Sequence, residues 1–160
     1  MNAAFLCVGG NIGDRLANIQ EAKRQLMGMG CQIEAESSIY QTKAWGVEEA
    51  PDYYNQMLKV STKMEADILM KTLLEIEKNM GRIRNDNRNA SRNMDIDILF
   101  FNQEVFNSDL LQVPHPRLHL RNFVLVPLNE IASEFIHPVL NKTIRELLNE
   151  CSDGSEVKKI

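Results

Sequence analysis

Met94-Asp95-Ile96-Asp97-Ile98-Leu99-Phe100-Phe101 is the stretch on which the reading of the fold turns. Rich in β-branched and aromatic residues, it is the clearest strand signal in the chain. Strand side chains alternate faces, so Asp95 and Asp97 are expected on one face and Ile96, Ile98 and Phe100 on the other. Two carboxylates then stand side by side on what reads as an edge strand. Downstream, Asn102-Gln103-Glu104 turns the chain toward Val105-Phe106, which predicts a hairpin.

Upstream, Ala66 to Met80 repeats apolar residues at helical spacing (Leu69, Leu73, Ile76, Met80), with Glu65 and Asp67 at its positive end and Gly81 as its stop. Met57–Lys63 and Gln32–Gln41 alternate as half-buried strands. Between them, Thr42 to Tyr54 reads as an irregular segment holding Trp45, Gly46 and Pro51, and a loop of that length is more often functional than idle. Further back, Leu16, Ile19, Ala22 and Leu26 line one face of a helix that Gly28 or Gly30 can end, and Ala3–Val8 is a buried strand running into Gly9-Gly10-Asn11. Strand, helix, strand, strand, helix, strand predicts an α+β fold: a ferredoxin-like antiparallel sheet with both helices on one face, followed by a C-terminal extension. That extension should hold helices over 124–132 and 143–150, and 152–160 reads as a frayed tail of one 160-residue domain.

The chemistry starts from the acid pair. Adjacent carboxylates repel unless a cation neutralises them, and paired hard oxygen ligands suit Mg²⁺ bound together with phosphates. The other reading is two solvated aspartates paired with lysines on an exposed face. Just before them, Arg82, Arg84, Arg88 and Arg92 fall within eleven residues that hold one acid, Asp86. Arginine at all four positions favours anion recognition through paired hydrogen bonds, although a solvated basic loop or a nucleic-acid contact remains open. Gly9-Gly10-Asn11-Ile12-Gly13-Asp14 lacks the lysine of a phosphate loop and reads as a strand-to-helix turn, with Asn11 or Asp14 near the N-cap. Its glycines leave room for a flat ligand against the backbone. Prolines flank His115 and fix its backbone, while Trp45, Tyr53 and Phe123 are aromatics suited either to stacking or to packing under a loop.

Asn89-Ala90-Ser91-Arg92-Asn93-Met94-Asp95-Ile96-Asp97-Ile98-Leu99 resembles the signature of the 6-hydroxymethyl-7,8-dihydropterin pyrophosphokinases. The likeness extends through Gly9-Gly10-Asn11, Thr42–Gly46 with Pro51-Asp52-Tyr53-Tyr54-Asn55, Val113-Pro114-His115-Pro116, and Arg121-Asn122-Phe123 with the residues that follow. It implies transfer of pyrophosphate from MgATP to 6-hydroxymethyl-7,8-dihydropterin in folate biosynthesis, giving AMP and the pterin diphosphate. By this likeness Asp95 and Asp97 hold two Mg²⁺ ions, and Arg82 and Arg92 close over the phosphates. Glu77, Arg84, Arg88, Ile98, His115 and Arg121 contact ATP, while Thr42, Trp45, Tyr53, Asn55 and Phe123 contact the pterin. Gly10, Ala44, Ala90-Ser91 and Asn89 depart from the commonest family residues, and Asn89 receives no role.

The remaining composition sets bounds. Eighteen Lys and Arg against 22 Asp and Glu give a net charge of −4, which argues against a surface built throughout for nucleic acid or anionic lipid. No apolar run is long enough to span a membrane, Met1-Asn2-Ala3-Ala4 lacks the pattern of a signal peptide, and three scattered cysteines make neither a disulfide framework nor a zinc site. A cytoplasmic monomer with small-molecule partners is expected. The rival readings are an RNA-binding module on the same sheet and a metal-dependent phosphohydrolase using the same aspartates.

Overall fold

The computed structural model describes residues 1–44, 50–81 and 93–160. Strand β1 (Asn2–Gly10) leads into helix α1 (Arg15–Gly28), then β2 (Cys31–Glu36), β3 (Tyr40–Thr42) and β4 (Tyr53–Thr62), helix α2 (Ala66–Asn79) and strand β5 (Asp95–Phe101). The sheet runs β5-β1-β4, all antiparallel, and both β2 and β3 pair with β4. This is the ferredoxin-like arrangement, and β5 lies at an edge, with β1 as its one strand partner among the described residues. The Asp14 carboxylate caps α1 by accepting from the Ala17 N–H, and Gly30, at φ 100°, releases the chain after it.

Alternation along β1 supplies two cores. Ala4, Leu6 and Val8 join Ile19, Ala22 and Leu26 of α1 and Leu69, Leu73 and Ile76 of α2 on one face. Each fully buried leucine or isoleucine there contributes about 2 kcal/mol of transfer free energy. Leu16, expected on that apolar face, is 45% exposed. It occupies the first turn of α1, before the helix has closed over the sheet. Phe5 and Cys7 point the other way and join Met57, Leu99 and Phe100 beneath helices α3 (Asn122–Ala132) and α4 (Ile144–Glu150). The extension therefore covers the face that α1 and α2 leave bare.

Several expectations need correction. Phe100 does not share a face with Ile96 and Ile98. The β1–β5 register shifts between Phe5 and Leu6, so Leu99 is a surplus residue, and beyond this bulge Phe100 joins the second core while Phe101 joins the first. The single strand expected over 32–41 is broken at Ser37, whose hydroxyl accepts from the Met57 N–H and whose carbonyl accepts from Gln56 Nε2. β4 reaches back to Tyr53, so Tyr53 and Asn55 stand on a strand instead of in a loop. No β5 hairpin forms with Val105-Phe106: β6 (Phe106–Asn107) pairs with β7 (Gln112–Val113). The tail is not frayed either. β8 (Lys158–Lys159) adds to the open edge of β3, because backbone groups there want partners whatever side chains they carry.

Candidate active site

Strand register sets the floor of the site. Cys7 pairs with Asp97 on one side and Met57 on the other, while Gly9 pairs with Asp95 and Asn55. Three neighbouring strands thus present Asp95 and Asp97, then Gly9 and Cys7, then Asn55, all on the second face. Two residues along a strand span about 7 Å, and two strand spacings about 10 Å, so acids and amide flank a trough of small-molecule width. Gly9 makes the trough possible: a Cβ there would lie 2.1 Å from Asn55 Oδ1 and 2.2 Å from the Tyr54 carbonyl. Its bareness serves the Asn55 side chain, where the sequence suggested a ligand.

Cys7 reports the closeness of the acids. Its thiol is pushed well above its ordinary range, first by burial and then by the charges of Asp97 and Asp95. The thiol stays protonated and donates to Asn55 Oδ1 at 3.8 Å. Register and the shared pocket lining place both carboxylates beside this sulfur, and their hard oxygens fit Mg²⁺.

The walls come from either end of the sheet. A cavity of about 680 Å³ brings together Asp95, Asp97, Asn55, Tyr53, Thr42, Arg121 and Phe123, seven of the residues singled out in the sequence. That size suits a small organic ligand. The Arg121 guanidinium lies 5.7 Å from the Phe123 ring centre, cation against aromatic face. Outside the cavity lining, at the chain entry to β4, buried Asn11 donates to the Pro51 carbonyl at 3.1 Å, Arg15 donates to the Asp52 carbonyl at 2.7 Å, and Gln41 donates to the Asp52 carboxylate at 2.8 Å. Asn11 thus anchors the start of β4, and the helix cap falls to Asp14.

The other residues sit apart from this cavity or beyond description. Glu77 is buried, and its carboxylate accepts from the Ile96 N–H at 2.8 Å, clasping α2 to the open edge of β5. The Ile98 side chain lies in the helix-side core, and strand periodicity turns its backbone groups toward the same edge as those of Ile96. His115 hangs on the bulge, its N–H donating to the Leu99 carbonyl at 3.0 Å. Burial and the neighbouring Arg121 lower its imidazole from the ordinary histidine value, favouring the neutral ring, and its buried Nδ1 has no hydrogen-bond partner among the described residues. Trp45, Arg82, Arg84, Arg88 and Arg92 lie outside the described residues, as does Asn89.

Six lining residues receive no role from the sequence: Cys7, Lys43, Arg117, Leu120, Ser152 and Asp153, of which Arg117 stands out only as one of two arginines close to His115. Cys7 was recoverable, since it sits two places before Gly9 on a strand. Arg117 follows His115 and Pro116 closely and adds a cation beside the acids. Ser152 and Asp153 carry no local signal at all.

The profile of the 7,8-dihydro-6-hydroxymethylpterin-pyrophosphokinase (HPPK) family matches residues 5–133. A 2-amino-4-hydroxy-6-hydroxymethyldihydropteridine pyrophosphokinase from Aquifex aeolicus is 37% identical over 94% of this chain and 92% of its own length. The Haemophilus influenzae protein of the same name is 31% identical over 99% of this chain and 98% of its own. Against the folic acid synthesis protein FOL1 of Dictyostelium discoideum the identity is 35% over 99% of this chain, which spans 24% of that longer protein. A crystal structure of Plasmodium falciparum HPPK-DHPS with pterin and p-hydroxybenzoate matches with a TM-score of 0.71 at 20% identity, over 93% of this chain and 41% of the other. That likeness shows the shared fold.

Proposed function

The chain belongs to the 7,8-dihydro-6-hydroxymethylpterin-pyrophosphokinase family, and from that premise we propose that it transfers pyrophosphate from ATP to 6-hydroxymethyl-7,8-dihydropterin in folate synthesis. The hydroxymethyl oxygen attacks the β-phosphorus and gives up its proton. The bond from that phosphorus to the oxygen bridging the α-phosphate breaks, and AMP leaves with the electron pair.

The observation that carries this reading is the trough itself: two carboxylates and an amide on neighbouring strands, walled by Arg121 and Phe123. Asn55 offers a side-chain amide to the pyrimidinone edge of the pterin, Tyr53 and Phe123 offer ring faces, and Thr42 and Trp45 offer backbone groups. Asp95 and Asp97 hold two Mg²⁺ ions. When bound, these offset phosphate charge and polarise the phosphorus under attack. Arg121 and His115 take the nucleotide, His115 as a neutral hydrogen-bonding group. Ile98 contributes backbone groups at the strand edge to the base, and Glu77 braces that edge while bordering the nucleotide. Arg84 and Arg88 bind phosphates, while Arg82 and Arg92 stabilise the charge that builds during transfer. Free cysteines and a negative net charge support a cytoplasmic monomer without nucleic-acid or membrane partners, and no helix among the described residues is long and apolar enough to cross a membrane.

The test is product identity. Release of AMP that requires both pterin and Mg²⁺ is expected. Formation of ADP, or hydrolysis of ATP indifferent to pterin, would overturn the reading and favour a phosphohydrolase.

A further inference from the structure

Residues 151–160 run from one wall of the pocket to the other. At one end the Asp153 carboxylate accepts from the Asn122 backbone N–H at 2.9 Å and from the Ser155 N–H at 2.9 Å, while Asn122 Nδ2 donates to the Asp153 carbonyl. Asn122 is the first residue of α3, and Arg121, its N-cap, makes no side-chain cap. The helix takes its cap from a carboxylate 31 residues downstream. A negative charge at that position also meets the positive end of the helix dipole. At the other end, Lys158 and Lys159 pair with Gln41 and Tyr40, and the Ile160 N–H donates to the Ile39 carbonyl at 2.9 Å, so the tail holds the stretch that leads into Thr42.

Arg121 and Phe123 flank Asn122 in the chain and project into the cavity, so the Asn122 peptide sets the direction in which both leave the backbone. Arg121 is extended, at φ −129° and ψ 112°, between a 3-10 turn (Leu118–Leu120) and the helix. The Arg121 backbone is held locally, its N–H by the Leu118 carbonyl and its carbonyl by the Val124 and Leu125 N–H groups, whereas the next peptide, at Asn122, is held by Asp153. We infer that Asp153 is a positioning residue for this wall of the pocket, fixing Phe123 at the pterin and Arg121 beside it at the nucleotide through the Asn122 peptide, with segment 151–160 as the strap that ties this wall to β3. The inference rests on the proposed pyrophosphokinase activity. The hydrogen bonds from Ser155 and Asn122 also hold the Asp153 carboxyl below its usual range, so the clasp is charged at neutral pH.

The experiment uses the full chain and the variants Asp153→Ala and Asp153→Asn. Asp153→Ala should raise KM for the pterin about tenfold while kcat stays within about twofold, the signature of a lost preorganising contact. Asp153→Asn keeps an oxygen acceptor for the Asn122 N–H and should recover to within about threefold of wild type. A purely structural role would lower thermal stability and leave KM alone. Pterin KM within twofold of wild type in Asp153→Ala, or equal impairment in both variants, would overturn the inference. Hydrogen exchange of the Asn122 amide reads the clasp without any turnover: it should quicken in Asp153→Ala, and unchanged exchange would count against the clasp even if wild type failed to release AMP.

Discussion

Asp97 and Gly9 are diagonal neighbours on adjacent strands at the trough and make opposite demands on substitution. Asp97 is half-buried on the site face, where its contribution to packing is small. Asp97→Ala should therefore cut turnover about a thousandfold, equivalent to ~4 kcal/mol of transition-state stabilisation, and shift the unfolding temperature by less than about 2 °C. Steady-state AMP release beside a thermal melt separates the two effects, and near wild-type turnover would remove Asp97 from the chemistry. Gly9→Ala should do the reverse. The added Cβ meets the Tyr54 carbonyl, which is held in the β1–β4 ladder, so neither strand can retreat cheaply. Overpacking of this kind costs about 2 kcal/mol, or roughly 6 °C of unfolding temperature in a domain of this size. An unchanged melt would mean that the two strands have slack between them. The acids could be read from strand periodicity alone. What Gly9 accommodates could not, because its neighbour Asn55 lies 46 positions away.

Between elements, the clasp from Glu77 of α2 to the Ile96 N–H is a bond from helix to strand edge. Replacing Glu77 with leucine strands a buried donor and should cost about 2 kcal/mol, whereas Glu77→Gln keeps an acceptor and should cost less than about 1 kcal/mol. Denaturant unfolding of both variants checks the difference, and equal costs would show that the hydrogen bond contributes little. The order of elements through β5 was legible because amphipathic periods distinguish helix from strand without tertiary information. Its interruptions were not. At Ser37 a side-chain hydroxyl replaces a backbone partner, and at Leu99 an extra residue rephases the strand. Neither leaves a mark on hydrophobic alternation until register is known. Segment 151–160 looked frayed for a related reason: Lys158 and Lys159 are exposed, and it is their backbones that pair with β3. The likeness to a known family located most lining residues of the pocket, yet it missed Asp153, whose partner is a main-chain group.

For the molecule as a whole, two histidines shape the response to acid just below neutrality, before carboxylates such as Glu130 and Asp153, held low by their hydrogen bonds, take up protons. Burial and Arg121 hold His115 below 6.5, and burial and His119 do the same for His137. His137 Nδ1 accepts from the Val139 and Leu140 N–H groups, and its ring meets Phe100 edge-on at 5.4 Å. Unfolding frees both rings to take protons near 6.5, so the unfolded chain binds more protons than the folded one once pH falls below that value. The stability they contribute is complete above 6.5 and declines as pH drops through the folded values. Unfolding temperature should be level at about pH 7 to 8 and slope downward below 6.5, with a shallower slope in His137→Asn, whose amide oxygen can still accept. An identical slope in that variant would assign the acid response elsewhere. Beyond pH, the two-sided sheet separates concerns. Among the described residues, no side chain of α1 or α2 lines the cavity, and beyond apolar packing α2 reaches the strand that bears the acids through the Glu77 hydrogen bond to Ile96. An engineer could exchange the whole filling of the helical side for another of equal volume and leave the chemistry opposite untouched, provided that single crossing at the rim were spared.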